Sequence, residues 1–223
     1  MNAEREGRNA DQQDANGILV CFAVRNEAKH FNSSSQQVKT IFTGIGPANA
    51  RKSLLRELEH GAPRLVLTCG YAGGLNPKLR HGTVVFNCQP GSRLHEQLQV
   101  QGAISGTFHC ANHIAVTASS KQSLWIATHA DAVEMESGVI REVCQERGIE
   151  AATIRVISDD ASTDLPLDFN QLSAGDGNIS YRKLAMALIA SPGSIPRLIR
   201  FQSVLDNCSR RLAAALEPVV NSK

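Results

Sequence analysis

Between residues 131 and 160 the spacing of apolar positions changes from helical to strand-like. Val133, Met135, Val139, Ile140, Val143 and Cys144 fall on one stripe at roughly helical spacing, and Gly148 stands where a helix ends on a residue of positive φ. From Ala151 to Ile157 the chain is apolar without interruption except at Arg155, which predicts a strand buried on both faces of a sheet. An arginine there is costly unless paired. The stretch therefore reads as a strand end, a helix, a strand and the turn Ser158-Asp159-Asp160. Glu136 at the helix start and the aspartates at the strand end are brought to one edge of the sheet, where α/β proteins bind their ligands.

The same alternation runs through the rest of the chain. Gly17 to Val24 is a buried-strand pattern, followed by a short helix or loop that sets Glu27 just beyond the strand end. Val38 to Phe42 predicts a second strand, Gly44-Ile45-Gly46 a tight turn, and Pro47 to His60 a helix with proline in its first turn. Arg64 to Thr68 predicts a third strand. Cys69 to Gly74, with Gly70, Tyr71, Ala72 and Gly73, predicts a sharp bend of small residues and a pocket lined by backbone. Gly82 to Asn87 and His113 to Thr117 read as further strands separated by a polar, irregular segment. Lys121 to Ala130 predicts a helix in which Trp125 serves packing. Tyr181 to Ala190 and Ile195 to Ala214 predict two last helices parted by Ser191-Pro192-Gly193, with Arg197, Arg200, Arg210 and Arg211 on a solvated face. The expected fold is a single α/β domain over 17–223, a mixed central β-sheet flanked by helices. Residues 1–16 are polar throughout and read as a disordered leader.

Composition narrows the function classes. The formal charge is +2 and Lys and Arg form no dense block, so neither nucleic acid nor a membrane surface is an expected partner. No apolar run approaches the roughly 20 residues that span a bilayer. The six cysteines are scattered without a C-x-x-C pair, which fits buried thiols in a reducing cytoplasm. His95, His109 and Cys110 lack ligand spacing, so neither metal nor cofactor is expected.

The segment Val133-Glu134-Met135-Glu136-Ser137, with Arg155-Val156-Ile157-Ser158-Asp159 some twenty residues on, resembles the V-D-M-E and R-x-I-S-D motifs of the purine nucleoside phosphorylase and nucleosidase superfamily. TGIGPANA at 43–50 and TCGYAGGL at 68–75 are similar to two further stretches of that family, in the same order. Within it the chain looks like the methylthioadenosine/S-adenosylhomocysteine nucleosidases, and the region after Asp160 resembles most the hopanoid-associated phosphorylase branch. The resemblance implies N-glycosidic cleavage of a purine nucleoside in a homodimer or hexamer.

Such cleavage leaves the ribose cationic and the base anionic unless a proton reaches it, so it calls for an acid near the base and a carboxylate on the sugar. The resemblance assigns the acid to Asp159, the grip on the ribose hydroxyls to Glu136, packing under the ribose to Met135 and activation of water to Glu27. Ser158, Tyr71, Ala72, Gly73 and Gly46 are the accompanying substrate-binding candidates. Arg155 reads either as a paired structural arginine or as a group near the nucleophile or phosphate. Tyr71 replaces the family's small residue and Glu134 its usual aspartate. Hydrolysis of an adenosine-like nucleoside with a modified 5′ group is the expected reaction, with phosphorolysis as the enzymatic alternative. A nucleoside-binding protein without turnover is the alternative outside catalysis.

Overall fold

The computed structural model of the chain describes residues 17–172, 186 and 192–221. The expected leader at 1–16 and, apart from Met186, the expected helix at 181–190 lie outside the described residues. Eight strands form one mixed sheet: β1 (Ile18–Phe22), β2 (Val38–Phe42), β3 (Leu65–Gly74), β4 (Val84–Asn87), β5 (Ile104–Ser105), β6 (Phe108–Cys110), β7 (Ala132–Glu134) and β8 (Glu150–Asp159). They run in the order β2-β1-β3-β8-β4-β5, with β7 paired to the end of β3 and β6 to β7. The pairs β1–β2, β1–β3 and β3–β8 are parallel, whereas β4 lies antiparallel to β8 and β7 to β3.

The central strands bury residues on both sides, as their unbroken apolar sequences require. One face sets Val20, Phe22, Leu67, Ile154 and Phe86 against Leu94 and Leu98 of α2 (Arg93–Val100) and Leu212 and Leu216 of α6 (Ile195–Val220). The other sets Leu19, Cys21 and Val66 against α1 (Pro47–Leu58) and α4 (Ser137–Glu146), through Ala50, Leu54, Ile140 and Val143. α3 (Ala118–Thr128) opens on a capping box between Thr117 and Ser120, and α5 (Phe169–Leu172) is a single turn. Among the described residues no helix is long and apolar enough to cross a membrane.

Four expectations change. The bend at 69–74 is strand: β3 continues through Gly74 because β8 pairs with it as far as Gly73, with a register shift between Ala72 and Gly73, and β7 pairs with Gly73 and Gly74. Residues 113–117 form no strand, because their backbone is engaged by the 164–170 segment. Asn170 holds both the N–H and the carbonyl of Ile114, and Leu165 N–H donates to Val116 O at 2.8 Å. Val133 and Met135 precede α4, Val133 within β7, rather than lying on the helix. The segment taken as irregular contains α2, built on Leu94 and Leu98 four residues apart and capped by Ser92, whose hydroxyl accepts His95 N–H.

Candidate active site

The C-terminal ends of the parallel strands β1, β3 and β8 converge on a cavity of about 220 Å³. Ala23, Val24 and Glu27 line it from the turn after β1, and Tyr71, Ala72 and Gly73 from β3. Glu134, Met135 and Glu136 enter from the β7–α4 junction, and Ser158 and Asp159 from the end of β8. Ile114, Leu165, Phe169, Phe201 and Leu205 supply an apolar side, with the Phe169 and Phe201 rings 6.1 Å apart.

Glu27 is buried, and backbone N–H groups hold both its oxygens: Ala23 and Val24 donate to Oε2 at 2.8 and 3.0 Å, and Tyr71 to Oε1 at 2.9 Å. Burial raises its proton affinity, while Arg155 and these three donors act against the rise. The chain can approach so closely only because residue 70 is glycine. A Cβ there would lie 2.4 Å from Glu27 Oε1 and 2.5 Å from Arg155 Nη1, at a φ of +152°.

Arg155 is the hub behind the cavity wall. Its Nη2 donates to Glu134 Oε2 at 2.6 Å, Thr68 Oγ1 at 3.1 Å and Glu136 Oε2 at 3.4 Å, and its Nη1 to Cys69 O at 3.2 Å. The guanidinium is 1% exposed and does not line the cavity, so the structural reading of this residue is the one the fold realises. Arg25, in the turn after β1, is stacked over the Phe42 ring at 4.7 Å.

One guanidinium thus faces Glu27, Glu134 and Glu136. Burial would raise Glu134, but Arg155 and hydrogen bonds from Cys110 and Ser137 hold it below the usual carboxylate range. Its Oε2 also accepts the N–H groups of Glu136 and Ser137 at 3.0 and 2.8 Å, so it caps α4 from a strand. The longer side chain in place of the family's aspartate therefore has a structural task here. Glu136 is pushed up to about 7 by burial, against Arg155 and with Glu134 adding to the rise. Its Oε1 accepts Gly46 N–H at 2.8 Å, and Gly46 adopts φ +90° to present it. Gly46 holds Glu136 through this bond and is not part of the cavity lining.

Asp159 is buried, and burial raises its proton affinity against the opposing effect of Lys121. Ser158 Oγ lies 2.5 Å from Asp159 Oδ1 and 3.2 Å from Ala72 O. That hydroxyl serves either protonation state: it donates to the carboxylate, or accepts from the acid while donating to Ala72 O. Tyr71 keeps its ring on the cavity and its hydroxyl between two carbonyls, Asn26 O and Leu205 O, each at 3.1 Å.

The family model of the phosphorylase superfamily matches residues 92–190, which include Glu134, Met135, Glu136, Ser158 and Asp159. Over that span the chain is similar to the phosphorylase superfamily. Two 5′-methylthioadenosine/S-adenosylhomocysteine nucleosidases are similar in sequence. That of Shewanella halifaxensis is 24% identical over 172 residues, 62% of this chain and 75% of the relative. That of Anoxybacillus flavithermus is 26% identical over 168 residues, 60% and 72%. Two solved structures are similar in fold. Futalosine hydrolase of Helicobacter pylori is 16% identical, with a TM-score of 0.63 over 91% of this chain and 96% of that one. The Campylobacter jejuni 5′-methylthioadenosine/S-adenosylhomocysteine nucleosidase is 15% identical, with a TM-score of 0.62 over 90% and 96%.

Superfamily motifs did not point to Lys121. It is 0% exposed on α3, with its Nζ against Asp159 Oδ2. One signal was available in the sequence: a lysine in the first turn of a helix opposes the macrodipole, so it needs a partner elsewhere.

Proposed function

We propose that the protein is a purine nucleosidase that hydrolyses the N-glycosidic bond of an adenosine-like nucleoside carrying a modified 5′ group. The observation that supports it best is the cavity lining itself. Carboxylates from three separate strand ends, Asp159, Glu136 and Glu27, meet around Met135, and among the described residues no arginine or lysine lines the cavity. Phosphate carries at least one full negative charge and is held by bidentate cationic donors. Here the arginine expected for that task is already occupied by carboxylates. The nucleosidase names of the similar proteins agree with water as the nucleophile.

In the reaction, the purine sits at the Asp159 end and the ribose on Glu136 and Met135, with its hydroxyls donating to the Glu136 carboxylate. As the C1′–N9 bond breaks, its electron pair passes into the purine and the Asp159 O–H bond breaks to form N7–H. Glu27 takes a proton from the water whose oxygen bonds to C1′. The anionic environment of Glu136 and Glu27 favours the positive charge that develops on the ribose. The apolar side near Phe169, Phe201 and Leu205 takes the 5′ substituent.

The test is base release from 5′-methylthioadenosine, S-adenosylhomocysteine and adenosine, with and without phosphate. Free base and free pentose without phosphate are expected, with turnover in Glu27→Gln lower by roughly 100-fold or more. Phosphate-dependent formation of a ribose 1-phosphate would replace hydrolysis by phosphorolysis. Binding without base release would leave a nucleoside-binding protein.

A further inference from the structure

Lys121 has no solvent exposure, yet it carries a charge at the edge of the reactive site. Its ammonium is satisfied on every side: Nζ donates to Asp160 O at 2.9 Å and Thr163 O at 2.7 Å, and its third contact is Asp159 Oδ2. Two backbone carbonyls therefore anchor the cation from behind, in the turn that follows β8. Its aliphatic stem passes Gly73, where an added Cβ would lie 3.8 Å from Lys121 Cε and 3.4 Å from Asp159 Oδ2. Lysine, cavity strand and acid are thus packed as one unit.

We propose that Lys121 is the positioning residue for the leaving-group acid: it fixes the orientation of the Asp159 carboxylate and supplies the positive charge against which that group gives up its proton. The inference rests on the nucleosidase reading and adds to it a residue that does not touch substrate. Asp159 gains negative charge as the base takes its proton, and a fixed, desolvated cation on Oδ2 stabilises that charge without reorganisation. Burial opposes it, by favouring the neutral acid. Burial thus holds the proton on the acid while the lysine favours its release, two opposed effects on one carboxyl.

Other charged groups near Asp159 are less well placed. Asp160, the next residue, turns its carboxylate to Ser162 and Thr163 and lies 3.6 Å from Arg80. Cys208 of α6 donates to Ile157 O. His81, Asp164, Arg197 and Arg200 surround a separate hollow on the outer side of Asp159.

The experiment compares the pH dependence of kcat/KM for wild type, Lys121→Met and Lys121→Gln, using whichever purine nucleoside the wild type cleaves. Removing a neighbouring cation raises the proton affinity of the acid, so the descending alkaline limb should move up by about 1–3 pH units in both variants. A merely structural lysine would lower thermal stability and kcat while leaving that limb in place, and this result overturns the proposal. The 13C carboxyl resonance of Asp159, identified by its absence in Asp159→Asn, provides a reading independent of turnover. It should titrate at higher pH in either variant, and an unchanged titration overturns the proposal even if the nucleosidase reading fails.

Discussion

At the scale of single residues, the proposed reaction asks two things of Asp159 that pull apart: it would keep a proton in a buried wall, and it would release that proton to the base. Asp159→Asn retains the shape and the Ser158 contact but carries no transferable proton. Turnover should fall by roughly 100- to 10,000-fold, while an uncleaved nucleoside analogue still binds. Because the substitution also leaves the buried Lys121 cation without its carboxylate, the melting temperature should fall with it. Single-turnover base release, analogue titration and a thermal melt separate these effects. Near wild-type turnover would remove the acid role from Asp159. The motif around Asp159 was readable in one dimension because R-x-I-S-D is contiguous. Lys121 lies 38 positions earlier and meets it only because its side chain reaches from α3 to the end of β8 and the turn that follows.

At the scale of elements, β3 shows how pairing overrides local composition. Six residues from Cys69 to Gly74, rich in glycine and alanine, have the chemistry of a turn, yet β8 and β7 hold them extended. Their small size answers to side chains that cross them: Glu27 and Arg155 at Gly70, Val133 and Asp159 at Gly73. Gly70→Ala should therefore act at a distance from the cavity. The new methyl group collides with both members of the Glu27–Arg155 pair, displaces the Glu27 carboxylate from Tyr71 N–H and strains the backbone. We expect loss of most turnover together with a lower melting temperature, whereas Ala72→Gly, one strand position from the shift in register, should leave Glu27 in place. Equal activity and stability of Gly70→Ala and wild type would show that the strand yields more than its packing implies. The missed strand-to-loop change at 113–117 has the same origin. β-branched alternation states what a segment could pair with, and only the neighbouring 164–170 segment decides that its bonds go to Asn170 and Leu165 instead.

At the scale of the whole molecule, the buried charges are linked through Arg155, which joins β8 to β3, to the β7–α4 junction and, through Glu27, to the turn after β1. Glu136 is one member whose ionisation burial resists, with a folded value of about 7 against 4.5 for the free side chain. A raised carboxylate value means that the fold favours the protonated form. This contribution to stability is fully present below about pH 4.5 and is lost as pH rises through about 7. Glu136→Gln, which cannot ionise, should gain on the wild type by roughly 1–3 kcal/mol between pH 4.5 and 8 in chemical denaturation. Denaturation curves that stay parallel across that range would show that Arg155 fully offsets the Glu136 charge. The sequence alone determined the layers and the placing of Asp159, Glu136 and Glu27: continuous apolar strands allow only a sheet covered on both faces, and these acids stand at strand ends, where such sheets leave an open edge. It could not determine which way Arg155 faces, that Gly46 N–H holds Glu136, or that a lysine on a distant helix reaches Asp159. Those assignments depend on which buried charges find partners once the chain is packed. Desolvation makes that choice nearly binding, because a buried arginine or lysine must meet carboxylates or carbonyls wherever the fold has placed them.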